Sequence, residues 1–329
     1  MNVTEVSRED ILSMAGSRIL VLGATGFVGT WICQSLAHAA DRLAIPLELT
    51  ILSRSPEPAA AVLQSMAPRL RLRAVSADVT RPLPAVGDHD IVIHAATAAS
   101  ASLNESDPTL MRSTIVDGMR HVLDLAATWG STKIVFTSSG AVYGRQPEGL
   151  DRFDESWTPL DEGSSNAYME GKRAAEAMLA EWTDGSRRAV AARLFAFLGP
   201  GLPLDTHFAA GNFVRDAITG GPIVIRGDGR TIRSYQYPSD MCSWILGLAA
   251  RQVSEFAYNV GSDTALSLAE LASRISKIQT GNPPVEIRGD LQPVHRYVPS
   301  TDRIETELGV KNHVGIDESI KKTLGWASN

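Results

Sequence analysis

The run Gly23-Ala24-Thr25-Gly26-Phe27-Val28-Gly29 follows an apolar pentapeptide, Arg18-Ile19-Leu20-Val21-Leu22, and opens a helix-patterned stretch from Phe27 to about Ala40. Glycines at this spacing permit a tight turn, a close approach of backbone to a pyrophosphate, and close packing of helix on strand. The helix start then presents unpaired N–H groups and a positive dipole end to phosphate. A glycine-rich turn alone is a weak signal, since any strand–helix turn uses one. It gains weight because the alternation continues. Leu47–Leu52, Leu70–Ser76, Asp90–His94, Lys133–Thr137 and Ala189–Leu194 read as further strands, with helices over Ala59–Met66, Thr109–Trp129 and Ala167–Trp182. Strands alternating with helices imply right-handed crossovers and a parallel sheet.

The fold expected is therefore α/β: a Rossmann-type doubly wound parallel sheet over residues 15–198, with a smaller C-terminal substrate domain. The boundary is drawn where Gly199-Pro200-Gly201-Leu202-Pro203, Gly220-Gly221-Pro222 and Gly227-Asp228-Gly229 break the chain. The second domain takes residues 199–230 and 263–329. Residues 231–262 return to the first domain, with Phe256–Val260 as a candidate strand.

The end of the second strand selects the dinucleotide. An NAD site commonly has Asp or Glu there to hold the ribose 2′-hydroxyl. This chain has Ser53-Arg54-Ser55, which would hydrogen-bond and neutralise a 2′-phosphate, so NADP is favoured over NAD. A solvated loop arginine is the plainer alternative for Arg54.

Composition narrows the partners. The 329 residues carry 31 Lys+Arg against 37 Asp+Glu, a formal charge of −6. That balance offers no basic stripe for nucleic acid or an anionic membrane. Two cysteines, Cys33 and Cys242, make no disulfide framework and fit a reducing compartment. The first ten residues lack the apolar core of a signal peptide, and no run approaches a membrane span. A cytoplasmic protein is expected. No His/Cys/Asp/Glu group has metal-ligand spacing, and no metal is expected.

The segments Gly23–Gly29, Ala77-Asp78-Val79, His94-Ala95-Ala96-Thr97, Thr137-Ser138-Ser139-Gly140-Ala141-Val142-Tyr143-Gly144 and Tyr168-Met169-Glu170-Gly171-Lys172 occur in this order. Together they resemble the extended short-chain dehydrogenases/reductases, the NAD(P)-dependent epimerase/dehydratase group acting on nucleotide sugars, over about Ser17 to Trp326. Tyr168 and Lys172, four apart on a helix, share a face. An ammonium beside the phenol favours the phenolate, so Tyr168 could exchange a proton with a sugar oxygen while hydride moves. Without this context a Tyr-x-x-x-Lys pair is more often a surface feature of a helix.

The resemblance implies Ser139, Tyr168 and Lys172 as catalytic residues, with Lys172 also holding the nicotinamide ribose. It implies cofactor contacts from Gly23, Thr25, Gly26, Phe27, Val28 and Gly29, from Asp78 and Val79 near adenine, and from Ala95, Ala96 and Thr97 along the cofactor. Small-residue packing would also explain the two alanines. Thr114 stands where the family has an Asn near the nicotinamide. Ser138 is implied as a substrate neighbour. Arg233 and, less securely, Arg296 match positions that bind the nucleotide diphosphate, through charge-assisted bonds to phosphate. Asp240 reads as the N-cap of a helix over Met241–Arg251. Ala196 stands where the family usually places an Asn on the sugar phosphate. His207 and Asn212, in the unusual stretch Leu204–Phe213, are candidate replacements, with a structural loop histidine an equal reading of His207.

Family dehydratases carry an Asp-Glu pair after the catalytic Ser/Thr, and UDP-glucuronate decarboxylases carry a Glu at the second of these positions. Here they are Gly140 and Ala141. The function expected is hydride transfer at sugar C4 of a nucleotide-diphosphate sugar, as 4-keto reductase or 4-epimerase. The alternatives are a dehydratase, a UDP-glucuronate decarboxylase, or a non-catalytic NADP-sensing binding protein. A homodimer formed through the helices around Thr109–Trp129 and Ala167–Trp182 is what the resemblance implies.

Overall fold

The structure is a computed structural model that describes residues 7–97, 106–130, 132–158, 166–205 and 208–328. In chain order the elements are α1 (Arg8–Ser13), β1 (Arg18–Leu22), α2 (Phe27–Leu43), β2 (Glu48–Ser53), α3 (Glu57–Met66), β3 (Arg71–Ser76), β4 (Ile91–His94), α4 (Pro108–Ala126) and β5 (Thr132–Ser139). A short 3-10 turn (Gly140–Tyr143) precedes α5 (Ala167–Trp182), β6 (Arg187–Leu194), α6 (Ala209–Ile218), β7 (Ile223–Ile225), β8 (Ile232–Arg233), α7 (Pro238–Ala250) and β9 (Ala257–Val260). The chain closes with β10 (Leu266–Ser267), α8 (Leu268–Ile278), β11 (Val285–Ile287), β12 (Arg296–Tyr297), α9 (Asp302–Leu308) and α10 (Ile316–Ala327).

Seven strands pair in the order β3-β2-β1-β4-β5-β6-β9, and every pairing is parallel. The doubly wound α/β sheet is thus present, and the late strand β9 does rejoin it. Alternation along β1 feeds two cores: Ile19 and Val21 enter one apolar cluster, Leu20 and Leu22 the other. The first cluster lies under α2 and α7, with Trp31, Leu36, Trp244 and Ile245 fully buried. The second lies under α4 and α5, with Met111, Ile115, Met119 and Leu179. Buried on both faces, the central strands read as continuous apolar runs, as parallel sheets do.

A third cluster joins α6, β7, α8 and α10 through Phe213, Val214, Ile225, Leu271, Ile275 and Leu324. Beside it run a three-stranded sheet, β10-β8-β12, and a two-stranded one, β11-β7. Not all of the C-terminal chain sits there: Ile304 and Leu308 of α9 belong to the first cluster, beneath the large sheet.

The expected N-cap at Asp240 is corrected. Pro238 starts α7 three residues before the expected Met241, with Tyr237 at the cap, because proline suits the first helical position. Asp240 lies buried in the first turn, and its Oδ2 accepts the backbone N–H groups of His313 and Val314, each at 3.0 Å. It ties down the C-terminal segment. The fourth helix ends at Ala126 and passes into a turn, short of the expected Trp129.

Strand order reverses between β1 and β4, since β1 pairs with β2 on one side and with β4 on the other. Ligands of open α/β sheets bind in the crevice outside the strand ends at such a point. Gly23, just after β1, and Ala95, just after β4, meet there.

Candidate active site

At the switch point, Gly23 adopts φ +79°, and a Cβ there would lie 2.6 Å from the Ala95 carbonyl and the Ala96 Cα. Only glycine lets the two strand ends approach so closely. A Cβ on Gly29 would stand 2.1 Å from Gly23 O, so this glycine lets α2 start against the turn. Gly26 is the N-cap of α2 and provides no side-chain cap. The first N–H groups of that helix are therefore free for an anion. Thr25 and Gly26 are exposed, while Phe27 and Val28 are half-buried at the rim. This helix start, which the two glycines let pack tightly against the strand ends, fits a dinucleotide pyrophosphate.

At the end of β2, Ser53 Oγ is buried without a hydrogen-bond partner, beside exposed Arg54. An orphaned buried hydroxyl next to a solvated guanidinium is a donor set suited to a ribose oxygen or phosphate. The Asp78 carboxylate accepts from the backbone N–H and hydroxyl of Thr80, which hold it below its ordinary range, with further help from the charge of Arg54. The Val79 carbonyl is engaged by His121 at 2.8 Å, and its side chain packs on Gly118.

The reactive groups converge at the end of β5. Ile134, Phe136 and Ser138 share the face covered by α5, and Glu176 of that helix takes the Ser138 hydroxyl at 2.5 Å. Ser138 therefore does not join the other site residues; its hydroxyl serves the buried structure instead. Ser139, on the next pleat, accepts the Ala141 N–H at 3.1 Å and caps the 3-10 turn. Its hydroxyl also hydrogen-bonds the Tyr168 phenol. Asn166 caps α5 through a bond to Met169 N, which sets Tyr168 and Lys172 on the inward face.

Lys172 is 1% exposed. Its Nζ donates to Thr137 O at 2.8 Å and to Thr97 Oγ1 at 3.0 Å, and it lies 5.8 Å from the centroid of the Tyr168 ring. Burial pushes the ammonium down to about 7, opposed by the charge of Glu176 one turn along. Burial also pushes the Tyr168 phenol above its ordinary range, opposed by the Ser139 bond. Sequence reasoning expected the ammonium to favour the phenolate. In the structure desolvation acts on both groups, disfavouring the phenolate as well as the ammonium.

Arg233 of β8 is half-buried and donates Nη1 to Ile232 O. Its guanidinium lies 5.6 Å from the Tyr297 ring centroid, and no carboxylate pairs with it among the described residues. Burial pushes it below its ordinary value. A desolvated cation without a counter-ion is suited to an anionic ligand. Arg296 bonds Asp151 O at 2.6 Å and lines an open cleft of about 470 Å³ with Arg230, Ser267 and Glu270.

The remaining candidates are less engaged. The Thr114 hydroxyl bonds back to Leu110 O, and the Asn212 carbonyl accepts from Arg215. His207 lies outside the described residues.

Residues 19–261 match the NAD dependent epimerase/dehydratase family. The chain belongs to that family. Among curated relatives, UDP-glucuronic acid decarboxylase 1 of Arabidopsis thaliana is 26% identical over 312 residues, 93% of this chain and 69% of the relative. UDP-glucuronic acid decarboxylase 1 of Xenopus tropicalis is 26% identical over 94% of this chain and 72% of its own length. Among solved structures, UDP-glucose 4-epimerase of Thermotoga maritima with UDP-glucose superposes with TM-score 0.78 at 18% identity, covering 94% of this chain and 98% of that one. RMD from Pseudomonas aeruginosa complexed with NADPH gives 0.78 at 23% identity, covering 95% and 99%. These superpositions show a shared fold.

Within this family member, two groups escaped the sequence reading. Glu176, four residues beyond Lys172, was legible from helical spacing; Arg193 pairs with it at 2.7 Å. Tyr297 comes from the far end of the chain, and its hydroxyl lies beside Gly140. No local pattern announces that contact.

Proposed function

We propose that the chain is an NAD(P)-dependent oxidoreductase of nucleoside-diphosphate sugars that moves hydride at sugar C4, as a 4-keto reductase or a 4-epimerase. The observation that carries this reading is the Ser139–Tyr168 pair beside Lys172, at the end of a strand facing a glycine-rich helix start. The nicotinamide, when bound, supplies the donor or acceptor of hydride. Tyr168 passes a proton to a C4 carbonyl oxygen, or takes one from the C4 hydroxyl, and Ser139 donates a hydrogen bond to that oxygen. Gly23–Gly29 hold the pyrophosphate, Lys172 holds the ribose, and Arg233 takes the sugar-nucleotide phosphates. The core built by α6, β7, α8 and α10 forms the substrate side, with residues 15–198 as the cofactor side. Ser53 and Arg54 support NADP over NAD. The intact Tyr168, Lys172 and Ser139 speak against a purely sensing role.

The decarboxylase relatives support a second reading. Oxidation at C4 of a glucuronate places its carboxylate β to a ketone, from which carbon dioxide leaves. The absence of carboxylates at Gly140 and Ala141 weighs against it. We also propose a cytoplasmic homodimer: the free buried Cys33 and Cys242 suit a reducing compartment, and Leu110 on α4 is an exposed apolar residue on the dimer-forming helices.

Incubation with a panel of nucleotide sugars, with and without NADPH, followed by chromatography and mass detection, tests these readings. A product heavier by two hydrogens that needs NADPH marks the reductase. An isomer formed without added reductant marks the epimerase. Loss of carbon dioxide from UDP-glucuronate supports the second reading, and no turnover of any sugar overturns the proposal. Arg54→Ala is expected to weaken NADPH binding about 10- to 100-fold while barely changing NADH, the worth of one charge-assisted contact. Equal losses for the two dinucleotides, measured by fluorescence titration, would exclude Arg54 as the selector.

A further inference from the structure

A buried polar row crosses the large sheet one residue before Ser139. Ser138 of β5, Arg193 of β6 and Asn259 of β9 stand in register, each the last residue but one of its strand. Ser138 and Asn259 are buried, and Arg193 pairs with Glu176 of α5, their side chains 15% and 9% exposed. Ser138 donates to Glu176 Oε1 at 2.5 Å, and Arg193 Nη2 donates to Glu176 Oε2 at 2.7 Å. The other arm of the guanidinium, Nη1, donates to the Tyr143 hydroxyl at 2.9 Å. That phenol in turn donates to Asn259 Oδ1 at 2.8 Å. A buried ion pair adds little net stability, since desolvation offsets its attraction. What this one supplies is a fixed geometry.

The pair reaches both ends of the 3-10 turn that Ser139 caps. Ser138 immediately precedes Ser139, and Tyr143 is the last residue of the turn. On α5, Tyr168, Lys172 and Glu176 recur every four residues along one stripe. Arg173, beside Lys172, adds a third tie by donating Nε to Val142 O at 2.7 Å. We propose that Glu176 and Arg193 are a positioning couple, clamping the Ser139 turn to the helix that carries Tyr168 and Lys172. The clamp sets the spacing of the groups that meet the reacting sugar oxygen. A misplacement of ~1 Å at such a site can cost about 10²-fold in rate, so a rigid hold has functional worth beyond stability. This inference rests on the oxidoreductase reading above.

Ser138→Ala frees the start of the turn and Tyr143→Phe frees its end, while both leave the ion pair in place. The phenyl ring of the second variant keeps its stacking on Phe153, at 4.7 Å between centroids. Each is expected to lower kcat about tenfold, with KM for the sugar nucleotide and NADPH affinity within about twofold of the parent. A merely structural network would instead lower Tm and leave the folded enzyme at the parent kcat, and that result overturns the proposal. In a Glu176→Ala background Ser138→Ala should add nothing, and a loss that multiplies also overturns it. The tyrosinate absorbance of Tyr168, read as the difference between each protein and its Tyr168→Phe counterpart, needs no substrate. It should titrate at higher pH once the turn is released, because the Ser139 bond holds the phenol down. An unmoved titration overturns the proposal. If the titration moves while no sugar nucleotide turns over, the oxidoreductase reading fails and the positioning role stands.

Discussion

Tyr168→Phe is expected to reduce turnover about 10³-fold while leaving dinucleotide affinity within about threefold of the parent, within the range for a positioned proton-transfer group. The reasons are geometric. The hydroxyl it removes bonds Ser139, whereas the ring and its place on α5 remain. The pyrophosphate cradle at Gly23–Gly29 lies on other elements. Lys172 keeps its bonds to Thr137 O and Thr97 Oγ1 without help from the phenol. Single-turnover hydride transfer, followed by nicotinamide absorbance with the sugar identified by the panel, measures the loss. Retained turnover would show that proton transfer belongs to another group. A collapse of cofactor affinity would show that the phenol binds rather than reacts.

Gly29→Ala is expected to have the largest effect on the folded state. The added methyl would meet Gly23 O at 2.1 Å, Gly23 C at 2.8 Å and Ala24 Cα at 2.9 Å. All three are backbone atoms, so no side chain can swing aside. Either the turn opens or α2 tilts away from β1. Tilting disturbs Trp31 and Ile32, which α2 contributes to the first core. Overpacking of this kind costs about 2–3 kcal/mol, which for a chain of this size corresponds to a fall in Tm of about 3–4 °C. The loss should be compounded functionally: the rise in Tm that NADPH confers on the parent should vanish, because the N–H groups no longer converge. Gly16→Ala is a control of a different kind, since nothing lies within 4 Å of a methyl there and only its φ of +82° is strained. Unchanged Tm and an intact NADPH-induced rise in Gly29→Ala would show that the loop adapts.

What the chain displays locally was legible in advance. The apolar runs of β1, β2, β4 and β5 announce strands buried on both faces, and the i, i+4 spacing of Tyr168 and Lys172 announces a shared face. The glycine-rich turn combines both kinds of signal. Contacts between distant segments were less legible. Ser138 and Ser139 look alike as letters, yet the pleat sends one to Glu176 and the other to Tyr168. Strand alternation from Phe136 could have separated them, but the partner on each side depends on packing. The opposed pKa directions of Tyr168 and Lys172 follow from burial, a property of the assembled molecule. Asp240 was misplaced because its acceptor role depends on His313 and Val314, far along the chain. The missing carboxylates at 140 and 141 were read correctly as missing. Only the fold shows that Phe195 and Tyr297 fill the space beside Gly140.

The interleaving of the C-terminal chain with the large sheet bears on how the protein is made. A ribosome that has released residues up to Leu198 has delivered six of the seven strands, yet the apolar underside that α7 and α9 cover is still bare. Trp31, Leu36 and Val190 wait for Trp244, Ile245, Ile304 and Leu308. The nascent cofactor half therefore lacks part of the apolar cover on one face until nearly the whole polypeptide has emerged.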